Sequence, residues 1–124
     1  MVKWTKDELT LFANSKTLQN RPLNNDGQTF EENNPIWCVV ANDRLFVRAA
    51  KGPKNSKWYV AGTHNGGQVE VDGQKFAVEY RAIINPEDVE LVSAAMKKKY
   101  LGDPSLTPMT SALASQATVE LIKK

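Results

Sequence analysis

Cysteine, histidine, net charge and long apolar runs are what this sequence has little of. Its 124 residues hold one cysteine, Cys38, and one histidine, His64. A lone cysteine forms no internal disulfide and fits a reducing, cytoplasmic setting. With one residue of each type, a Ser-His-Asp triad or a zinc site is close to excluded, and no metal is expected. The net charge of +2 falls short of the basic excess of a general nucleic-acid binder. No apolar run approaches the ~20 residues that span a bilayer. The first eight residues, Met1 to Glu8, carry charges where an export signal needs an apolar stretch, so no leader is expected.

What is present is an ordinary globular composition, 41% apolar and 24% charged. The length predicts one domain over residues 1–124, burying roughly two-thirds of its unfolded surface. There is no internal repeat, low-complexity tract or interdomain linker.

Thr5 and Glu8 have the spacing of a capping box, and Leu9 and Phe12 follow as a short apolar stripe, predicting a two-turn helix. The Asn-rich stretch from Asn20 to Pro35 offers turn chemistry, and any strand within it is expected to be short or irregular. Ile36 to Ala50 reads as a hairpin around Asn42-Asp43, which tolerate left-handed backbone angles. Its register pairs Val40 with Leu45 and Cys38 with Val47 on one face. Trp37 and Val39 lie opposite Arg48 and Phe46 on the other. Both faces are largely apolar, so one packs the core and the other meets a second layer, a partner or a ligand.

Trp58 to Gly62 reads as a further strand, followed by a loop over Thr63–Gly67. Val69 to Val78 forms a hairpin around Asp72-Gly73 that pairs Val69 with Phe76 and Glu70 with Lys75, with Tyr80 and Ala82 continuing the inner face. Asn85 and Pro86 are the cap and first position of a helix whose apolar stripe is Val89, Val92, Met96 and Tyr100. Gly102 and Pro104 stop it. Leu106–Gln116 takes no clear pattern, and Ala117 to Leu121 alternates as a final strand. These elements predict a mainly β, α+β fold: a six-stranded antiparallel split β-barrel with a short N-terminal helix and a helix before the last strand.

Among residues that could carry chemistry, His64 reads as an exposed loop residue and Cys38 as a core filler. Lys97, Lys98 and Lys99 read as a solvated helix end. The run Arg48, Lys51, Lys54, Lys57 differs, with a cation every third residue and few acids nearby. Gly52 and Pro53 argue against a helix there. A loop carrying four cations between two strands is either a solvated tip or a phosphate site.

The order Ile36-Trp-Cys-Val-Val, Arg44-Leu-Phe-Val-Arg48, a basic Gly-containing loop, Lys57-Trp-Tyr59, the Asp72-Gly73 hairpin, Lys99-Tyr-Leu-Gly102 and Ala117-Thr-Val resembles the FMN-binding split β-barrels. These include the pyridoxamine-phosphate-oxidase-like proteins and the deazaflavin-dependent reductases. More closely, it is similar to an uncharacterised bacterial family within that group. The resemblance spans residues 36–121 and rests on short motifs. It implies a homodimer with a flavin, FMN or a deazaflavin, in the groove between two barrels. The phosphate would be held by Arg48 and Lys51 with Lys54 or Lys57, and Trp58 would line the groove. The Trp37, Val39, Phe46 face would serve as the dimer surface. The loop departs from many flavin-bearing relatives in its Gly-Pro, and no acid, base or substrate anchor is evident. The expected function is flavin binding, with oxidoreductase chemistry on a small molecule. The alternatives are a cofactor-free or other-ligand binding barrel and a small nucleic-acid-binding barrel.

Overall fold

Thr5 Oγ1 accepts from the Glu8 amide at 3.2 Å while Glu8 returns a bond to the Thr5 amide at 2.8 Å, so the expected capping box starts helix α1, Lys6–Ala13. The computed structural model describes residues 3–124. Six strands follow: β1 (Thr17–Pro22), β2 (Asn34–Ala41), β3 (Arg44–Arg48), β4 (Gly67–Val71), β5 (Gln74–Ala82) and β6 (Thr118–Lys123). Each pairs antiparallel with two neighbours, closing a barrel in the order β1-β2-β3-β6-β5-β4. Closure leaves no unpaired sheet edge. The short helices α2 (Gly52–Asn55), α5 (Leu106–Met109) and α6 (Ala112–Ser115) and the longer α3 (Lys57–Asn65) and α4 (Pro86–Lys99) pack around it. Among the described residues no helix is long and apolar enough to cross a membrane.

Both hairpins form in the expected register, with Cys38 opposite Val47, Val40 opposite Leu45, Val69 opposite Phe76 and Glu70 opposite Lys75. Asn42 and Asp43 take positive φ of 51° and 59°, as a two-residue turn between right-twisted strands requires. Leu18, Cys38, Leu45, Val69, Val78 and Val119 fill the barrel interior, with Phe12 of α1 closing over them. Asn85 caps α4 through a bond to the Glu87 amide, and the stripe of Val92, Met96 and Tyr100 is buried as its spacing predicts.

Several expectations need correction. The apolar outer face of the β2–β3 hairpin is covered by α4, which packs Val92, Met96 and Tyr100 against Val39 and Phe46. Those two residues are 1% and 0% exposed within a single chain and offer no surface to a second copy. Of the expected dimer residues only Trp37 keeps exposed area. The Asn-rich region begins with a strand, β1, whose Asn20 points inward and accepts a hydrogen bond from Tyr80 Oη. Its polar alternation gave no apolar signal. Ala82 is exposed at the end of β5, and Ile83 turns inward to the cluster under α4 instead.

The largest correction concerns residues 48–65. Gly52 has φ of +82° and Pro53 occupies the first turn of α2, where its missing N–H costs nothing, so the two start a helical turn rather than prevent one. Trp58–Gly62 is then helical, part of α3, and His64 lies in its last turn with its side chain exposed. A five-residue apolar run fits either element by pattern, and packing decides. Gly62 lies so close to the Tyr80 ring that a Cβ there would sit 2.5 Å from it. The helix backbone therefore rests directly on β5. Residues 106–115 resolve into α5 and α6, separated by Thr110 and Ser111, and the Ser111 hydroxyl caps α6.

Candidate functional site

The end of β3, the α2–α3 junction, the start of β2 and the α5 turn enclose a cleft of about 880 Å³. Four of the five residues expected from sequence, Arg48, Lys51, Lys57 and Trp58, line it. Lys54 faces an adjoining cleft of about 640 Å³ instead. Lys51, Lys54 and Lys57 are exposed, and none of them forms an ion pair among the described residues.

Arg48 is placed unexpectedly. It is 1% exposed, and its guanidinium is held by the chain itself. Nε donates to Thr118 Oγ1 at 2.9 Å, Nη1 to Ser93 Oγ at 2.9 Å and the Met109 carbonyl at 3.2 Å, and Nη2 to the Val89 carbonyl at 3.0 Å. It therefore joins β3 to β6, α4 and α5 at the floor of the cleft. Every one of these partners is neutral. Burial lowers the pKa to about 10, opposed by the charge of Glu90, so the group stays cationic at neutral pH. A buried cation without a carboxylate partner is costly and draws negative charge towards it.

Ser56 stands at the N-cap of α3, yet its side chain makes no capping bond. It is only 5% exposed and lines both clefts. The first amides of α3 lack intrahelical partners, as at any helix start, and carry the positive end of the helix dipole. A free hydroxyl, unpaired amides, Lys51, Lys57 and the Arg48 charge thus line one cleft, a chemistry suited to a phosphate or carboxylate. Ser56 was missed because residues 58–62 read as a strand. A serine directly before an apolar run is an N-cap signature, and reading it so would have found α3.

Trp37, on β2, also lines the cleft. Its ring lies flat on Tyr100, with centroids 3.7 Å apart and planes 8° from parallel. The Tyr100 hydroxyl donates to the Lys16 carbonyl at 2.6 Å and accepts from the Cys38 amide at 3.1 Å, which fixes the pair. Burial pushes the Tyr100 pKa up, keeping it neutral. Trp37 is half-buried and lines the cleft, giving a rigid platform for a flat ring. Glu31, Glu32, Asn33 and Asn34 complete the mouth.

Cys38 is fully buried, and burial raises its thiol pKa, as for a core filler. Lys99 is not solvated as expected. Its Nζ donates to the carbonyls of Phe12 at 3.1 Å and Ser15 at 2.7 Å and to that of Cys38, tying α1 to β2. Among the described residues no group of three or more His, Cys, Asp or Glu side chains could hold a metal ion.

Residues 8–121 match the family described as "Uncharacterized protein conserved in bacteria (DUF2255)". The chain belongs to that family. No curated protein matches it. The solved structure of the conserved hypothetical protein Rv2991 from Mycobacterium tuberculosis is similar in fold, with a TM-score of 0.67 at 16% identity over 98% of this chain and 79% of that one. The family match takes in the whole candidate site, from Thr17 to Met109. The likeness to Rv2991 concerns the barrel and its helices.

Proposed function

We propose that the cleft binds a flat, phosphate-bearing cofactor, FMN or a deazaflavin, and that the protein is a flavin-dependent oxidoreductase or flavin carrier for a small molecule. The supporting observation is a single one. Arg48, a buried cation with only neutral partners, lies at the floor of the cleft that the uncapped Ser56 and the Trp37 platform also line. The residues fit the group: a ring against Trp37 and a phosphate at the start of α3.

The geometry changes the roles expected from sequence. Arg48 has three of its nitrogens bonded internally, so it supplies charge and holds the floor. Direct contacts to the phosphate fall to Ser56, Lys51 and Lys57, and Trp58 borders the ring. A bound flavin would supply the hydride and electron chemistry. The chain binds and orients it, and α5, through Pro108 and Met109, limits water on one side. A homodimer stays part of the proposal, with Trp37 as the one member of the expected face able to reach a second copy. Light scattering reads it as twice the chain mass.

Quenching of FMN fluorescence on titration with the protein tests the reading. Saturable quenching with a Kd in the micromolar range, on the order of −8 kcal/mol, is expected. No binding up to about millimolar FMN or deazaflavin, on the order of −4 kcal/mol, overturns it.

A further inference from the structure

The two clefts adjoin, with Glu31, Asn55, Ser56 and Lys57 lining both. Ser56, Val60 and His64 are spaced four residues apart and so share one face of α3, spanning roughly 12 Å at 1.5 Å per residue. All three line the second cleft. Val60 is 52% exposed there, an apolar side chain left open on α3. Lys54 lines the same cleft, and His64 ends the row.

From this we infer that the ligand does not stop at the first phosphate. It continues along α3 with a second anionic group at Lys54 and a flat apolar group over Val60, within reach of a hydrogen bond from His64. The chemistry is that of a diphosphate linked to a purine nucleoside. Ser56, almost wholly buried, uncapped and facing both clefts, is the pivot between the two halves. The inference rests on the flavin reading and extends it from a mononucleotide to a dinucleotide.

The test compares FMN and FAD by fluorescence titration of the full chain, wild type against Lys54→Ala and Val60→Ser. Both substitutions are at exposed positions where folding is little affected. FAD is expected to bind about tenfold more tightly than FMN, one charge-assisted contact being worth about a decade. Each variant should reduce that advantage at least threefold while leaving FMN affinity within twofold. Equal or weaker binding of FAD overturns the inference and leaves the flavin reading standing, as does a FAD advantage untouched by either substitution. Failure of FMN and FAD to bind overturns the inference, and failure of a deazaflavin in the same titration overturns the flavin reading with it.

Discussion

Arg48 Nη1 donates to Ser93 Oγ at 2.9 Å, joining the last residue of β3 to the buried middle of α4. The same guanidinium reaches β6 through Thr118 and α5 through the Met109 carbonyl. Its removal should be felt in folding before it is felt in binding. Arg48→Ala leaves Ser93, Thr118 and two carbonyls short of a donor. Urea unfolding is expected to show a loss of about 3 kcal/mol or more, each buried bond to a charged donor being worth about 1.5–3. A variant as stable as wild type would show that the arginine is free to leave its internal partners.

Ser56→Ala should do the reverse. An ordinary N-cap serine contributes about 1 kcal/mol through its side-chain bond, and Ser56 makes none. The unfolding midpoint should therefore barely move, while FMN affinity falls about tenfold for one lost bond to a phosphate. A clear loss of stability with unchanged binding would make it a plain cap.

Gly62 reads out the helix itself. Alanine favours a helix over glycine by about 1 kcal/mol, so a free helix would be stabilised by Gly62→Ala. Here the added methyl would stand 2.5 Å from the ring of Tyr80, which is itself buried and bonded to Asn20. Overpacking of that kind costs about 1–3 kcal/mol, and net destabilisation is expected in thermal unfolding. A gain in stability would mean that α3 does not rest on β5.

Lys99→Met tests the tie between α1 and β2. It strands the carbonyls of Phe12, Ser15 and Cys38, and a cost of about 1–3 kcal/mol should follow in chemical denaturation. Amide exchange should quicken in α1 more than in β4 and β5, which Lys99 does not touch.

The pH dependence carries its own sign. Burial raises the Glu8 pKa, but the Lys123 ammonium and the Thr5 donors outweigh it and hold the carboxyl below its usual value near 4.5. A carboxyl with a depressed folded pKa binds fewer protons folded than unfolded, so its contribution is present above 4.5 and lost as pH falls through the folded value. Wild type should lose stability over that acid window faster than Glu8→Gln. Parallel pH profiles for the two proteins would remove Glu8 from the account.

The sequence by itself determined the parts that neighbours along the chain decide. The two-residue turns at Asn42-Asp43 and Asp72-Gly73 set both hairpin registers, because only such residues take positive φ readily. The Thr5–Glu8 box and the Asn85-Pro86 start fixed two helix beginnings in the same local way. Of the cationic run and Trp58, the barrel brings Arg48, Lys51, Lys57 and Trp58 to one cleft and leaves Lys54 on the adjoining one. Tertiary structure decided the rest. Trp58–Gly62 became a helix because its one glycine lets the backbone settle on Tyr80, eighteen positions along. Val39 and Phe46 lost their exposed face to α4, since an apolar stripe on a later helix buries more cheaply within the chain than against another. Arg48 turned inward and Lys99 left solvent for the same reason: their partners lie 41 to 70 and 61 to 87 positions away, and only closing the barrel brings those acceptors within reach.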